Sequence, residues 1–174
     1  MKQLSEKKWS AFSICEIFSI DAGVRLTKNN MKAGCRPFIG ATDSNNGITE
    51  FVSNTNISLD KNVLGVNYNG SVVENFYHPY EAIFSDDVKR LHLLDYEDNK
   101  YVLLFLKAVI LKQQVKYQYG YKFNGERMKK QKIMLPVDEK MRPDYKYMEA
   151  YMKSVEKNLL QQYNSYLKDV ISSN

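Results

Sequence analysis

Residues 37–48 read PFIGATDSNNGI, and this stretch shows the pattern on which the first half of the chain is built. Its first part is apolar, as in a buried strand, and its second part is polar and ends on Asn45, Asn46 and Gly47. Asn and Gly tolerate the positive φ that tight turns require. The stretch therefore predicts a core strand that leads into a surface turn. It contains no His, Cys or Lys and one carboxylate, so nothing in it indicates catalysis.

The same pattern continues outward over residues 9–96. This part is rich in Val, Ile, Phe and Tyr, and Gly and Asn interrupt it at short intervals. Such interruptions are typical of strand–turn–strand structure. We predict two-residue hairpin turns at Asn46-Gly47 and at Asn69-Gly70. The candidate strands are 36–41, 48–52, 62–67, 71–76, 80–85 and 89–94.

A helix and a basic stretch follow the β-rich part. Apolar residues recur at helical spacing within residues 99–113, with Asp98 as the predicted N-cap, so this helix is expected to pack on the sheet. Residues 115–133 then read VKYQYGYKFNGERMKKQKI, in which the cations are opposed by a single acid, Glu126.

A long helix is predicted at the end of the sequence. Pro143 suits a first helical turn and Asp144 suits the positive end of the helix dipole. At 1.5 Å per residue, a helix of about 28 residues is about 42 Å long, more than a compact domain of this size covers. We therefore predict a β-rich body at 1–142 and a dimerisation helix at 143–174. The apolar dimerisation stripe is Met148, Met152, Val155, Leu159, Tyr163, Tyr166 and Val170.

Composition narrows the class of protein. A net charge of +5 with 44% hydrophobic residues describes a mildly basic globular chain. The sequence shows no secretory signal and no apolar run of membrane length, so we expect a cytoplasmic protein. Its two cysteines, Cys15 and Cys35, and its two histidines, His78 and His92, lack the spacing of a zinc site. We expect no metal.

A search for catalytic motifs favours no enzyme class. The sequence has no Walker loop, no G-x-G-x-x-G, no G-x-S-x-G and no H-E-x-x-H. It also lacks the Asn-Pro-Pro-aromatic motif of adenine methyltransferases. Residues 87–89 and 138–140 have the acid-x-Lys pattern of some nucleases, but such tripeptides are common by chance. We expect a non-catalytic chain without a cofactor of its own.

Two basic clusters predict contact with nucleic acid. Cations neutralise phosphates, whereas aromatic and amide side chains reach bases. The stretch 116–132 interleaves cations with aromatic residues, and a second cluster brackets Asn29 and Asn30. A charge run is often only a solvated face, and that interpretation stays open for both clusters, as does a merely structural turn at 45–47. The predicted DNA-binding residues are Arg25, Lys28, Lys32, Arg36, Asn45, Asn46, Lys116, Tyr117, Tyr119, Lys122, Arg127, Lys129 and Lys130.

Short segments in a set order carry a family resemblance. They are WSAFSICEIFSI at 9–20, GVRLTK at 23–28, PFIGAT at 37–42, NNGI at 45–48, NGSV at 69–72, FYHPYEA at 76–82, SDDV at 85–88, YGYKF at 119–123 and QKIMLPV at 131–137. In this order and spacing they resemble the target recognition domain of a type I restriction-modification specificity subunit. The resemblance covers nearly the whole chain, and related domains occur in type II enzymes.

The resemblance implies an α/β fold: a curved, β-rich recognition domain with packed helices and one long C-terminal dimerisation helix. It implies sequence-specific binding of double-stranded DNA that directs a methyltransferase subunit, with a motor-nuclease subunit as a further candidate partner. S-adenosylmethionine is expected only in the methyltransferase.

Full-length members of that family resemble two such domains whose long helices pair antiparallel. This sequence has one domain and one helix, so we expect either a half-subunit that forms a homodimer or a fragment. The alternative is a protein-interaction module, or a decoy, that binds the methyltransferase through its helix without reading DNA. The helix stripe fits both, and the aromatic-basic stretch fits DNA binding better.

Overall fold

The computed structural model describes residues 3–117 and 123–172, without the side chains of residues 169 and 172. The strands of this part are β1 (Trp9–Ser13), β2 (Phe18–Ala22), β3 (Ala33–Ile39), β4 (Ile48–Val52), β5 (Val63–Asn67), β6 (Asn75–His78), β7 (Ile83–Phe84), β8 (Val88–Leu93) and β9 (Lys132–Pro136). The α-helices are α1 (Ile14–Ile17), α2 (Lys100–Leu111), α3 (Gly125–Lys130) and α4 (Tyr145–Ser172). The predicted α/β fold with a β-rich body and a long C-terminal helix is confirmed.

The largest sheet has the antiparallel order β2-β8-β5-β6 and carries the main core. Helix α2 packs on it because Val102, Leu106 and Ile110 recur at helical spacing on one face and are fully buried. Burying each such side chain stabilises the fold by about 1.5–3 kcal/mol. Strand β5 is buried along its whole length, since its apolar residues belong to two different cores.

A three-stranded sheet, β4-β3-β7, lies beside the second core. Strand β3 pairs antiparallel with β4 and parallel with β7. A third, smaller core forms where Phe38 and Val52 of this sheet are covered by Leu26 and Met31. These two side chains hold the segment between β2 and β3 against the sheet, and the residues between them face outward.

A two-stranded sheet joins the beginning of the chain to the segment before α4. Strand β1 pairs antiparallel with β9, from Trp9 opposite Pro136 to Ser13 opposite Lys132. The Trp9 ring also stacks near Phe105 of α2, with ring centroids 6.4 Å apart. This sheet therefore anchors the start of α4 to the body. The sequence patterns predicted neither of its strands.

Helix α4 packs on the body only through its first turns. Asp144 is its N-cap, because its Oδ1 accepts a hydrogen bond of 3.0 Å from the Tyr147 backbone N–H. Met148 is fully buried in the main core, and Met152 packs against that core. Glu156 then accepts hydrogen bonds of 2.6 Å from Lys100 and 2.7 Å from Tyr101. Beyond Glu156 the apolar stripe is exposed.

Several sequence-based boundaries need correction. The strand predicted at 48–52 coincides with β4, whereas the one predicted at 71–76 is wrong, because residues 68–74 form an ordered loop before β6. The two predicted hairpins are longer loops, at 40–47 and 68–74. Asn99, not Asp98, caps α2, because Asp98 is engaged by His92 and by the Leu93 N–H.

The predicted bounds and contacts of the C-terminal helix also need correction. It begins at Tyr145 and not at Pro143, because Pro143 is still held in an extended bridge to Val137. Met148 and Met152 were predicted to lie in a dimer interface, but Met148 is buried in the core of its own domain and Met152 packs against that core.

Among the helices of residues 3–117 and 123–172, none combines the length and the hydrophobicity of a membrane-spanning segment. Within residues 3–117 and 123–172, no three His, Cys, Asp or Glu side chains converge as a metal site would require.

A charged network holds loop 94–99 to strand β8. Asp60 contacts both Arg90 at 2.9 Å and the Nε2 of His92 at 3.0 Å. The Nδ1 of His92 lies 2.6 Å from Asp98. The hydrogen bond to Asp98, together with that to Asp60, outweighs burial and raises the pKa of His92 to about 9.

This shift predicts a loss of stability at alkaline pH. A histidine whose pKa is raised in the folded state stabilises the fold while it is protonated. For His92 this stabilisation is complete below about pH 6.5, the ordinary pKa of histidine, and it is lost as the pH rises through about 9. We expect the free energy of unfolding to fall by about 1–2 kcal/mol between pH 6 and pH 9.5, allowing for solvent screening. Urea unfolding at both pH values measures it, with His92→Gln as the comparison. Equal pH dependence in the two proteins would contradict the assignment.

Candidate nucleic-acid interface

Five neighbouring segments are linked in a row by hydrogen bonds made by them or by the residues next to them, and we call them together the loop row. They are residues 23–32, 85–87, 68–74, 40–47 and 112–117. Each connects or follows strands and helices of the body, and each contacts a neighbour in the row. The surface is therefore held by the scaffold although it consists of loops.

The first contact in the row joins residues 23–32 to the two residues that flank the turn 85–87. The Gly23 N–H donates to the Val88 carbonyl at 3.1 Å, and the Val24 N–H donates to the Phe84 carbonyl at 2.8 Å. A Cβ atom on Gly23 would lie 2.0 Å from the Ser85 carbonyl oxygen. Only glycine permits this approach, so the two backbones are held at a fixed distance.

The turn 85–87 is joined in the same way to loop 68–74. The Tyr68 N–H donates to the Asp87 carbonyl at 3.1 Å, and the Asn69 side chain donates to the Asp87 carboxylate at 2.9 Å. The Lys89 ammonium lies 4.6 Å from the centre of the Tyr68 ring. Burial lowers the pKa of Lys89, although Asp86 and Asp87 oppose that shift.

Loop 68–74 in turn supports loop 40–47, which contains the polar half of the stretch PFIGATDSNNGI. The Ser71 N–H donates to the Ala41 carbonyl at 3.4 Å, and the Asn67 side chain donates to the Thr42 carbonyl at 2.9 Å. At the tip, Asn45, Asn46 and Gly47 have φ of 51°, 53° and 78°. Asn and Gly are the residues that adopt this left-handed conformation most readily. Both Asn side chains are exposed.

The fifth segment connects the row to helix α3. The Gln114 side chain donates to the Val72 carbonyl at 3.4 Å. The neighbouring Gln113 accepts a hydrogen bond of 3.1 Å from Gln131, which follows α3 directly. Asn124 caps α3, since its Oδ1 accepts from the Arg127 N–H at 3.0 Å. Arg127, Lys129 and Lys130 are therefore presented by a short helix and not by a loop.

Most of the predicted cations are placed on or beside the loop row. Arg25, Lys28, Asn45, Asn46 and Lys116 are exposed within it. Lys32 is exposed at the end of residues 23–32. Lys129 and Lys130 are exposed on α3, where Arg127 is half-buried. Tyr119 and Lys122 lie outside the described residues. The DNA-binding role of all these residues stays a prediction.

Two predicted DNA-binding residues have other roles in the structure. Tyr117 is 8% exposed, packs with its ring centroid 4.6 Å from that of Phe123, and donates a hydrogen bond to Gln131. Arg36 is bonded to the Asn54 carbonyl at 2.6 Å and to Glu81 at 3.0 Å. Both side chains are engaged within the fold, and their DNA-binding role stays a prediction.

The sequence patterns also missed one feature of this surface. Asp86 and Asp87 lie in the middle of the loop row, between the cations of residues 23–32 and Lys89. Both acids are visible in SDDV at 85–88, but their place beside these cations is not, because their neighbours in space come from distant parts of the sequence.

Comparison of the sequence with known proteins shows which family this chain resembles. Residues 6–164 match the family described as Type I restriction modification DNA specificity domain. The chain is also 64% identical over 160 residues to S.BcgI, a type II restriction enzyme specificity subunit from Heyndrickxia coagulans. That match covers 92% of this chain and 47% of the relative, so the chain spans about half the length of the relative.

The fold is similar to those of solved specificity subunits. The S subunit of a type I restriction-modification system from M. genitalium has a TM-score of 0.63 and 17% identity, covering 95% of this chain and 43% of that chain. The HsdS subunit from Thermoanaerobacter tengcongensis has a TM-score of 0.61 and 14% identity, covering 94% of this chain and 41% of that chain. At these identities the likeness concerns the fold alone. Because the family match spans residues 6–164, this chain belongs to the family of type I restriction modification DNA specificity domains.

Proposed function

We propose that this chain is one recognition half of a restriction-modification specificity subunit, which binds double-stranded DNA at a specific sequence and directs a partner methyltransferase there. The observation that carries the proposal is the loop row: it presents exposed cations and amides on a backbone fixed by hydrogen bonds, in a member of a DNA specificity family. The family match favours this function over a decoy that does not read DNA.

The residues of the row divide by chemistry. Lys28 and Lys116 suit phosphates, as do Lys129 and Lys130 of α3, because a lysine acts as a compact point charge. Asn45 and Asn46 suit base edges, because an amide can pair with the N6 and N7 of adenine. Their left-handed backbone holds them at the tip of a loop, so their direction is set before DNA arrives.

The chemistry itself is assigned to the partners. We infer that this chain is non-catalytic, that S-adenosylmethionine is bound by the methyltransferase, and that a motor-nuclease subunit joins if the complex restricts. This chain then positions the methyltransferase over its target base.

The far part of α4 is assigned to dimerisation. Leu159 and Tyr163 are 60% and 57% exposed, and Leu160, Tyr166 and Ile171 extend the same apolar face. Leaving such a stripe in water is unfavourable for solubility. We propose that a second copy of this chain covers it by antiparallel pairing about a two-fold axis. The DNA site would then consist of identical half-sites in inverted orientation.

The salt dependence of duplex binding tests the DNA-binding part of the proposal. Each neutralised phosphate is expected to add about 0.9 to the slope of log affinity against log salt concentration. Replacing Lys129 and Lys130 by Ala should therefore reduce that slope by about 1.8 and weaken binding to all sequences alike. A fluorescence-anisotropy titration at several salt concentrations measures both quantities.

The matched control replaces Lys140 and Lys146 by Ala. These lysines are also exposed, but they lie in the turn before α4 and in its first turn. The control removes the same charge and should leave the slope close to that of the parent. A parent affinity that does not change with salt would refute duplex binding by these clusters, and equal slopes for the two variants would remove α3 from the interface.

A further inference from the structure

Asp86 is an acid at the centre of a surface that we assign to a polyanion. Its carboxylate lies 3.8 Å from the Arg25 guanidinium, and the Arg25 side chain is 78% exposed. A carboxylate at this place repels phosphates and so weakens non-specific binding to any duplex. An acid at position 86 is therefore not explained by the affinity of this surface for DNA.

Asp86 and Arg25 are held by one rigid piece of backbone. The residues just before Arg25 are bonded to Phe84 and Val88, which flank the turn 85–87. The turn itself is closed by a hydrogen bond of 3.0 Å from the Val88 N–H to the Ser85 carbonyl, and the Ser85 N–H donates to Ile39 at 2.8 Å. The two Cα positions are therefore fixed relative to each other, and the Asp86 carboxylate, 3.8 Å from the guanidinium, favours side-chain conformations that keep Arg25 beside the turn.

Asp87 has a different role from Asp86. Its carboxylate and its carbonyl both accept hydrogen bonds from loop 68–74, so it joins two segments of the row. Asp86 is the acid of this turn that contacts an exposed cation of the row.

We propose that Asp86 is a positioning residue, which orients the Arg25 guanidinium toward the edge of a guanine in the major groove. The inference rests on the proposed function and names one base that the chain reads. A guanidinium presents two parallel N–H donors that match the O6 and N7 of guanine. A flexible arginine loses entropy when it adopts that geometry, whereas one already held by a carboxylate loses less.

The test selects preferred sequences from a pool of random duplexes with the full chain, alone and together with its methyltransferase. For the parent we expect a selected sequence that contains a guanine whose replacement weakens binding about tenfold or more. Asp86→Asn should reduce the preference at that position several-fold while it raises affinity for unselected duplexes. Arg25→Lys keeps the charge but loses the two parallel N–H donors of the guanidinium. It should therefore reduce the preference for guanine at the same position. Asp86→Glu, which keeps the carboxylate, should restore part of the preference.

The matched control is Glu139→Gln. Glu139 is an exposed acid in the turn before α4, outside the loop row. The control removes the same charge as Asp86→Asn, and it should leave every base preference unchanged.

The outcomes distinguish this inference from the proposed function. A parent that selects no sequence in either form contradicts both. A parent that selects a sequence which Asp86→Asn and Arg25→Lys leave unchanged contradicts only the inference, as does relaxation at a base other than guanine. Because the Arg25 side chain is exposed, its replacement tests the proposal even if Asp86→Asn destabilises the turn.

Discussion

Leu159→Asp combined with Tyr163→Asp is expected to turn the proposed dimer of this chain into a monomer, with association weakened at least about 100-fold. Both side chains lie on the exposed apolar face of α4, beyond the part of the helix that packs on its own body. Each buried apolar side chain contributes about 1.5–3 kcal/mol, and the change removes two from each copy and puts carboxylates in their place. Light scattering over a range of concentrations measures the association.

A charge-matched control separates loss of the interface from damage to the helix. Asn158→Asp combined with Ser165→Asp adds the same charges, but these residues lie on the opposite face of α4 at 100° per residue. The control should remain dimeric. A parent that is monomeric at every concentration would contradict the dimer, as would two variants that associate equally well.

Gly23→Ala is expected to lower the free energy of unfolding by about 3 kcal/mol, which corresponds to a fall of about 6–12 °C in Tm. The new Cβ would lie 2.0 Å from the Ser85 carbonyl oxygen and 2.6 Å from that of Phe84. Both are backbone atoms, so the segments must separate, which breaks the hydrogen bonds that join residues 23–32 to the two residues that flank the turn 85–87. Thermal unfolding measures the change.

Gly125→Ala is the control for this prediction. A Cβ on Gly125 would meet no atom within 4 Å, and alanine is the better helix former at the start of α3. We expect it to leave Tm unchanged or slightly raised. If Gly23→Ala and Gly125→Ala unfold at the same temperature, the close approach at Gly23 is not a constraint on the loop row.

Local patterns predicted the elements whose residues contact each other within a short stretch. Strand β4 and helices α2 and α4 follow from apolar periodicity and from the turn signals beside them. Strand β1 was missed because its residues are half-buried or exposed along its length and its partner β9 lies at the other end of the body. Pairing over such a separation leaves no local signal.

The candidate site was predictable in its chemistry but not in its arrangement. The cations at 25–32 and 127–130 were visible as charge, and the left-handed tip at Asn45 and Asn46 was visible as a turn. The partners of Arg36 and Tyr117 were not, because Glu81 and Gln131 come from distant positions in the sequence. The same holds for Asp86, whose position beside Arg25 depends on a backbone contact between two separate segments.

In the proposed function, this chain chooses the DNA sequence at which a methyltransferase acts. Sequencing that detects methylated bases, in DNA from cells carrying the methyltransferase with and without this chain, tests it most directly. The proposed function predicts that methylation at one split motif, with half-sites in inverted orientation, appears only when the chain is present. It also predicts that Asn45→Ala with Asn46→Ala changes or abolishes that motif. An identical methylation pattern in the absence of the chain would contradict it.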